Sequence, residues 1–200
     1  MSKTLYIIDD HAMVKNGLKS WLDTYSDWKV IGIYATSQEC YDALSSSEHP
    51  AIIICDVQLA NETGFGIVKN ITDQYSDIKC VMYSMYDTAG FVMQALDCGA
   101  KGYVSKASSE EELIKCLEAV YADQNYIEAK MQMAQSKIEP ILSFLTKQEK
   151  RVFEEILKGL SNDEISKELN LSGHSVENYV SRLYDKLGIF SRIDILEKYR

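Results

Sequence analysis

Ala51-Ile52-Ile53-Ile54-Cys55-Asp56 sets five apolar residues, three of them β-branched, directly before a carboxylate. A run this short with no polar alternation predicts a strand buried on both faces, as in a parallel sheet. An acid at the C-terminal end of such a strand lies where open α/β sheets hold ligands. Asp also commonly ends strands and opens turns, so this run alone leaves both roles open for Asp56.

The flanking chain repeats the pattern. Lys3 to Ile8 reads as a strand ending in Asp9-Asp10, and Ala12 to Tyr25 as a helix with Val14, Leu18, Trp21 and Leu22 on one face. A strand over Lys29 to Tyr34 and a helix over Ser37 to Ser46 come next. After the central run, Gly66 to Tyr75 is helical and Lys79 to Tyr83 is a strand ending in Ser84. Ala89 to Cys98 is a helix stopped by Gly99, and Gly102 to Val104 is a short strand ending at Ser105-Lys106. Ser108-Ser109-Glu110-Glu111-Glu112 supplies a cap and acids for a helix to about Ala122. Alternation of this kind predicts an α/β domain with a five-stranded, doubly wound parallel sheet over residues 1–123.

The character then changes. Residues 124–143 are polar, contain Gln and Met with Pro140 near the end, and read as a partly helical linker. From Phe144 there is no strand signal. Thr146-x-x-Glu149 is a capping box opening a helix to Leu157 that Gly159 closes. Ser161-x-x-Glu164 is a second box, opening a helix to Leu169. Ser172 to Ser175 reads as a turn, Val176 to Leu187 as a third helix stopped by Gly188, and Arg192 to Tyr199 as a fourth. Residues 144–200 are therefore expected to form an all-α four-helix domain.

Charge separates the two parts. The net charge is −9, yet residues 144–200 carry ten basic and ten acidic side chains, so residues 1–143 hold the whole acidic surplus. An acidic first domain and a neutral second one point to two different partners. No basic segment with an apolar core opens the chain and no apolar run reaches membrane-spanning length, which predicts a cytoplasmic protein without a membrane partner. The five cysteines, at 40, 55, 80, 98 and 116, form no Cys-x-x-Cys pair and read as reduced thiols. The three histidines, at 11, 49 and 174, are too far apart to suggest a metal site.

Asp9, Asp10, Asp56, Ser84 and Lys106 all fall at strand C-terminal ends. Three carboxylates brought together repel unless a cation sits among them. Oxygen ligands with room for water suit Mg²⁺, and a hydroxyl with an ammonium completes a cradle for a phosphoryl group. Asp56, on the central strand, is the carboxylate placed to become an aspartyl phosphate.

Ile8-Asp9-Asp10-His11, Cys55-Asp56-Val57, Gly64, Tyr83-Ser84-Met85-Tyr86-Asp87 and Gly99-Ala100-Lys101-Gly102-Tyr103-Val104-Ser105-Lys106 resemble the receiver domain of two-component response regulators over residues 3 to about 122. The resemblance implies a flavodoxin-like fold with Asp56 phosphorylated by a sensor histidine kinase. It implies Mg²⁺ held by Asp9, Asp10, Asp56 and the backbone carbonyl of Gln58. It also implies a phosphoryl contact from Lys106 and a switch pair of Ser84 and Tyr103, although an aromatic on a short edge strand is also ordinary packing. Ala60 departs from the family, which usually has Pro there, and removes a rigid constraint but no reactive group. Met85 and Tyr86 are bulky, and that bulk predicts slower entry of the water that hydrolyses the phosphoaspartate.

Leu145-Thr146-Lys147-Gln148-Glu149, Gly159-Leu160-Ser161-Asn162-Asp163-Glu164-Ile165, Leu169-Asn170-Leu171-Ser172, Ser175-Val176-Glu177-Asn178-Tyr179-Val180 and Lys186-Leu187-Gly188 resemble the LuxR/FixJ-type helix-turn-helix, together making the NarL/FixJ arrangement. Ile165, Leu169, Val176, Val180 and Leu183 would form the core that presents the third helix to the major groove. The resemblance implies DNA contacts from Ser175, Glu177, Asn178, Ser181, Arg182, Lys186 and Arg192, with Lys147, Lys150 and Lys158 as further phosphate contacts. Glu177 stands where the family usually has Lys. It weakens the phosphate term and leaves direct readout of a cytosine amino group open to it. Ile193, Leu196 and Tyr199 mark the last helix as an output-domain dimer contact or as packing on the domain's own core.

The expected function is a phosphorylation-controlled transcriptional regulator, a homodimer on double-stranded DNA when phosphorylated. Its only chemistry would be self-phosphorylation from a phosphodonor and autodephosphorylation. Two other readings stay open: an output domain acting through protein contacts, and an aspartyl-phosphate phosphatase or phosphotransferase.

Overall fold

The computed structural model describes residues 3–46 and 48–199; residues 1, 2 and 200, at the outer ends of the two expected domains, lie outside that range. The chain divides into two compact units, one built on a sheet, up to Asp87 and over Gln94–Glu128, and one helical, of Thr88–Met93 and the residues from Ala129 onward.

In the first unit the strands are β1 (Thr4–Ile8), β2 (Lys29–Tyr34), β3 (Ile52–Cys55), the short pair β4 (Gln58–Leu59) and β5 (Glu62–Thr63), β6 (Lys79–Ser84), β7 (Gly102–Ser105) and β8 (Tyr126–Ile127). The helices are α1 (Ala12–Tyr25), α2 (Ser37–Ser46), α3 (Gly64–Gln74), α4 (Ala89–Asp97), of which only the residues from Gln94 belong to this unit, and α5 (Glu110–Tyr121). The main sheet runs β2-β1-β3-β6-β7-β8, with every pairing parallel. β3 sits inside it, and all four of its residues are buried. Ile52 and Ile54 join a cluster with Leu22 of α1 and Leu113, Leu117 and Val120 of α5. Ile53 and Cys55 stand on the opposite pleat, so the strand is covered on both sides.

The main difference from the sequence expectation is a sixth strand. The expected five-stranded sheet gains β8, which pairs its Tyr126 and Ile127 with Gly102 and Tyr103 of β7. The Tyr126 N–H donates to the Lys101 carbonyl at 2.8 Å. Two residues are too few for period-2 patterning to register. The same brevity hides the β4–β5 hairpin, and α3 starts at Gly64, two residues before the expected helix. The segment 124–143, read as a linker, holds β8 and a full helix, α6 (Ala129–Leu142).

All five cysteines are free thiols, and four are buried. Burial pushes Cys40 and Cys80 up to about 12 and raises Cys55 well above its ordinary value.

The second unit continues with α7 (Lys147–Leu157), α8 (Asn162–Glu168), α9 (Gly173–Leu187) and α10 (Arg192–Tyr199). Both capping boxes form. Thr146 N–H donates to Glu149 Oε2 at 2.8 Å, and Ser161 N–H to Glu164 Oε2 at 2.7 Å. The α9 helix begins three residues before the expected Val176, because Ser172 caps it by accepting from Ser175 N–H at 3.1 Å. Gly188, at φ 64°, ends it in the left-handed conformation. Val152, Phe153, Ile165, Val176, Val180, Leu183 and Ile195 form the core, with Leu169 partly buried against it. In α10 the expected shared face of Ile193, Leu196 and Tyr199 does not hold. Tyr199 is buried edge-on against Phe153, with ring centroids 5.9 Å apart, whereas Ile193 is exposed. Ile195, not Ile193, points inward.

One ion pair fixes α7 to α9. Lys186 Nζ donates to the buried Glu149 carboxylate at 2.7 Å. That hydrogen bond, opposed by burial and aided by the Thr146 backbone and side chain, lowers Glu149 from an ordinary 4.5 to about 2. A depressed carboxylate stabilises the fold above its unfolded pKa and loses that contribution as pH falls through the folded one. Urea titrations read by helical circular dichroism should therefore show stability declining between about pH 4.5 and pH 2. Glu149→Gln should flatten this decline.

Candidate phosphoacceptor site and recognition helix

The C-terminal edge of the parallel sheet assembles the first site. β1 ends at Ile8 and delivers Asp9 and Asp10; β3 ends at Cys55 and delivers Asp56; β6 and β7 bring Ser84 and Lys106 alongside. Asp56 N–H donates to the Ile8 carbonyl at 2.9 Å, and Lys106 N–H to the Ser84 carbonyl at 2.8 Å. These bonds extend the β1–β3 and β6–β7 ladders by one residue each.

The Lys106 ammonium lies between two carboxylates, 2.6 Å from Asp9 Oδ2 and 2.6 Å from Asp56 Oδ2. All three side chains are nearly buried. Burial acts to lower Lys106, but the hydrogen bonds from Asp56 and Asp9 outweigh it and hold the ammonium above its ordinary pKa. His11 lies on the other side. Its N–H donates to Asp9 Oδ1 at 2.8 Å, and its Nδ1 stands 2.8 Å from Asp10 Oδ1. Ligand atoms of Asp9, Asp10, His11 and Asp56 all fall within 4.8 Å of one another. The sequence reading had passed over His11, which is adjacent to the acids rather than spaced from them.

Gly64 explains the turn after Asp56. A Cβ there would lie 1.8 Å from the Asp56 carbonyl oxygen. Only glycine lets α3 start this close to the phosphoacceptor strand. The site opens into a cleft of about 810 Å³ whose lining includes Asp10, Asp56, Gln58, Ser84, Met85 and Lys106.

Tyr86 spans that cleft, donating its hydroxyl to the Gln58 side-chain carbonyl. Sequence points to Tyr86 for its bulk and to Gln58 for its backbone only; a side-chain hydrogen bond between positions 28 apart leaves no periodic trace. Ser84 is fully buried, and its Oγ accepts from Tyr86 N–H at 3.3 Å. Tyr103 is buried too and donates its hydroxyl to the Tyr86 carbonyl. Burial pushes its phenol up while the hydrogen bond with Ser84 works the other way. Ser84 and Tyr103 therefore meet at residue 86.

In the second unit, Glu177, Asn178, Ser181, Arg182, Asp185 and Lys186 are exposed along one face of α9. Arg182 stands over the Tyr179 ring at 6.0 Å, and Glu177 is 3.9 Å from His174 Nδ1. Ser175 is half-buried, its hydroxyl 2.8 Å from the cap hydroxyl of Ser172. Three expected phosphate contacts are engaged inside the unit. Lys158 pairs with Glu155 at 2.8 Å, Lys186 with Glu149, and Arg192 donates to the Leu160 carbonyl and to Asn162 at the start of α8. Lys147 and Arg182 remain exposed.

An aspartate-centred site on a doubly wound sheet, joined to a helical unit with an exposed recognition helix, defines a phosphorylation-controlled transcription regulator. Residues 5–118 match the response regulator receiver domain, and residues 143–198 match bacterial regulatory proteins of the luxR family. The chain belongs to the response regulators. It is 30% identical to the oxygen regulatory protein NreC of Staphylococcus carnosus, covering 96% of this chain and 94% of the relative. NreC of Staphylococcus epidermidis is 28% identical with the same coverage. The fold matches RcsB from Salmonella enterica serovar Typhimurium bound to promoter P1flhDC in the presence of the phosphomimetic BeF₃⁻. That match has a TM-score of 0.70 at 21% identity and covers 99% of this chain and 98% of the other. These matches point to a histidine kinase and to DNA as partners. Among the described residues, no helix is long and apolar enough to cross a membrane.

Proposed function

We propose that Asp56 accepts a phosphoryl group from a sensor histidine kinase, and that the resulting switch controls DNA binding by α9. The observation that carries this reading is the Lys106 ammonium bridging Asp9 and Asp56 at 2.6 Å each. It fixes the Asp56 carboxylate at the lining of the cleft. An Asp56 oxygen attacks phosphorus; the P–N bond to the donor imidazole breaks, and that nitrogen keeps the electron pair and takes up a proton. Lys106 and Ser84 then hold phosphoryl oxygens.

The oxygen atoms of Asp9, Asp10 and Asp56, with the Gln58 backbone carbonyl, make a donor set that suits Mg²⁺. Asp10 Oδ1 is buried and makes no aligned hydrogen bond, although His11 Nδ1 stands 2.8 Å away, which fits a ligand position. Bound there, the ion supplies charge neutralisation at the transferring group. The chain's own chemistry is self-phosphorylation from a phosphodonor and autodephosphorylation, in which water displaces the Asp56 carboxylate from phosphorus and releases inorganic phosphate. Ser84 and Tyr103, joined through residue 86, form the switch pair.

We assign residues 1–123 to the receiver, 124–143 to the connection and 144–200 to the output domain, in a cytoplasmic protein that dimerises when phosphorylated. RcsB is described as dimers bound to DNA, and the present reading extends that arrangement to this chain. Base and phosphate contacts come from Ser175, Glu177, Asn178, Ser181, Arg182 and Lys186. Arg192 acts by bracing α8 instead of touching phosphate. The engaged cations Lys158, Lys186 and Arg192 favour a second reading, in which the output domain works partly through protein contacts. Failure of the helical unit to bind any DNA at low salt would select it.

Asp56→Asn should abolish labelling by acetyl phosphate, and persistent labelling would move the nucleophile elsewhere. Tyr86→Ala, which opens the cleft to water, should shorten the aspartyl-phosphate lifetime by about tenfold, roughly 1.4 kcal/mol of barrier; an unchanged lifetime would refute the gate. Glu177→Lys should raise non-specific DNA affinity and steepen the log–log salt slope by about 0.9 for one added phosphate contact, as read by fluorescence anisotropy across a salt series.

A further inference from the structure

The turn that carries Lys106 has a second flank. Ser105 closes β7, and its N–H lies two residues past the β7–β8 pairing of Tyr103 with Ile127. That N–H donates to Glu128 Oε2 at 3.4 Å, and Ser108 donates its hydroxyl to the same oxygen at 2.6 Å. Inside the turn, Ser108 N–H donates to the Ser105 carbonyl at 3.0 Å and Ala107 N–H to Ser105 Oγ at 3.3 Å. The Glu128 carboxylate thus holds both ends of the four-residue turn whose second residue contacts Asp9 and Asp56.

Glu128 is also the last residue before α6, which begins at Ala129. The residue before it, Ile127, is in register with the switch residue Tyr103. Tyr126 is tied both to the Lys101 carbonyl and, through its hydroxyl, to the Glu112 carboxylate of α5. Three consecutive residues, 126, 127 and 128, therefore engage three successive parts of the receiver: the start of β7, the switch residue, and the phosphoryl-contacting turn.

We propose that Glu128 is a positioning residue coupling the Lys106 turn to the segment leading into α6. Lys106 must leave at least one carboxylate to meet a phosphoryl oxygen. Its displacement shifts residues 105–108, which the Glu128 carboxylate follows. Charge-assisted hydrogen bonds of this kind are about twice as strong as neutral ones, so replacing the carboxylate by an amide loosens the link without removing the side chain's bulk. The proposal rests on Asp56 as the phosphoacceptor, and its test separates the two.

The test is hydrogen exchange on the full chain with Mg²⁺, with and without beryllium fluoride, in the wild type, Glu128→Gln and Ser108→Ala. In the wild type, beryllium fluoride should change exchange at residues 84–86, 105–108 and 125–129, the last by about fivefold or more, at the low end of measured couplings. In both variants the response at 84–86 should persist, while that at 125–129 falls below about twofold. A merely structural role for Glu128 would raise baseline exchange in both states and leave the beryllium fluoride difference intact. A silent 125–129 segment in a wild type that responds at 84–86 overturns the coupling, as does a variant that transmits as well as the wild type. Acetyl phosphate labelling separates the failures: a chain labelled at Asp56 with a silent segment 125–129 refutes the coupling alone. A chain that takes no label at Asp56 refutes both readings.

Discussion

The receiver unit is organised around one shared proton-bearing group, the Lys106 ammonium between Asp9 and Asp56. Three carboxylates at neighbouring strand ends carry a repulsion that burial makes worse. A single cation hydrogen-bonded to two of them turns that repulsion into a cohesive contact. The strand geometry follows from it: β1 and β3 must end level, and β7 must end where its next residue can reach both. Gly64 lets the chain after Asp56 fold back without pushing the carboxylate out of reach.

The helical unit meets the opposite problem. From residue 129 onward its 12 basic side chains nearly balance 11 acidic ones, and three of the cations expected to contact DNA are engaged inside it. Lys186 and Arg192 brace α7 against α9 and α10 against α8, so the charges that present the recognition helix are partly unavailable to bind with it. Glu149, held to about 2 by Lys186, shows how tightly one of these braces is made. Arg182 stands over Tyr179, with Asn178 and Ser181 exposed on the same face of α9.

Much of this was legible in the sequence, for reasons of scale. Five strand-helix alternations and two capping boxes are long or stereotyped patterns, and apolar runs such as Ile52 to Cys55 admit few alternatives. Asp9, Asp56, Ser84 and Lys106 accordingly stand at or just past the strand ends that these patterns mark. What escaped was built from few residues or from contacts between distant loops. β8 contributes two residues to the sheet, the Tyr86–Gln58 bond joins positions 28 apart, and Glu128 meets its partners some 20 positions upstream. Ile193 and Tyr199 mislead because six residues span more than one turn, and a short helix on a curved core can bury either. No periodicity reports such choices; packing makes them.

Cys55 sits directly before the phosphoacceptor, with Cys40 and Cys80 among its electrostatic neighbours, and burial holds all three thiols far from ionisation. A thiolate in that position would compete with Asp56 as a nucleophile and would answer to oxidants. The fully protonated, enclosed sulfur does neither. The central strand thus presents a single accessible reactive group at its end, the Asp56 carboxylate, with the thiol beside it enclosed.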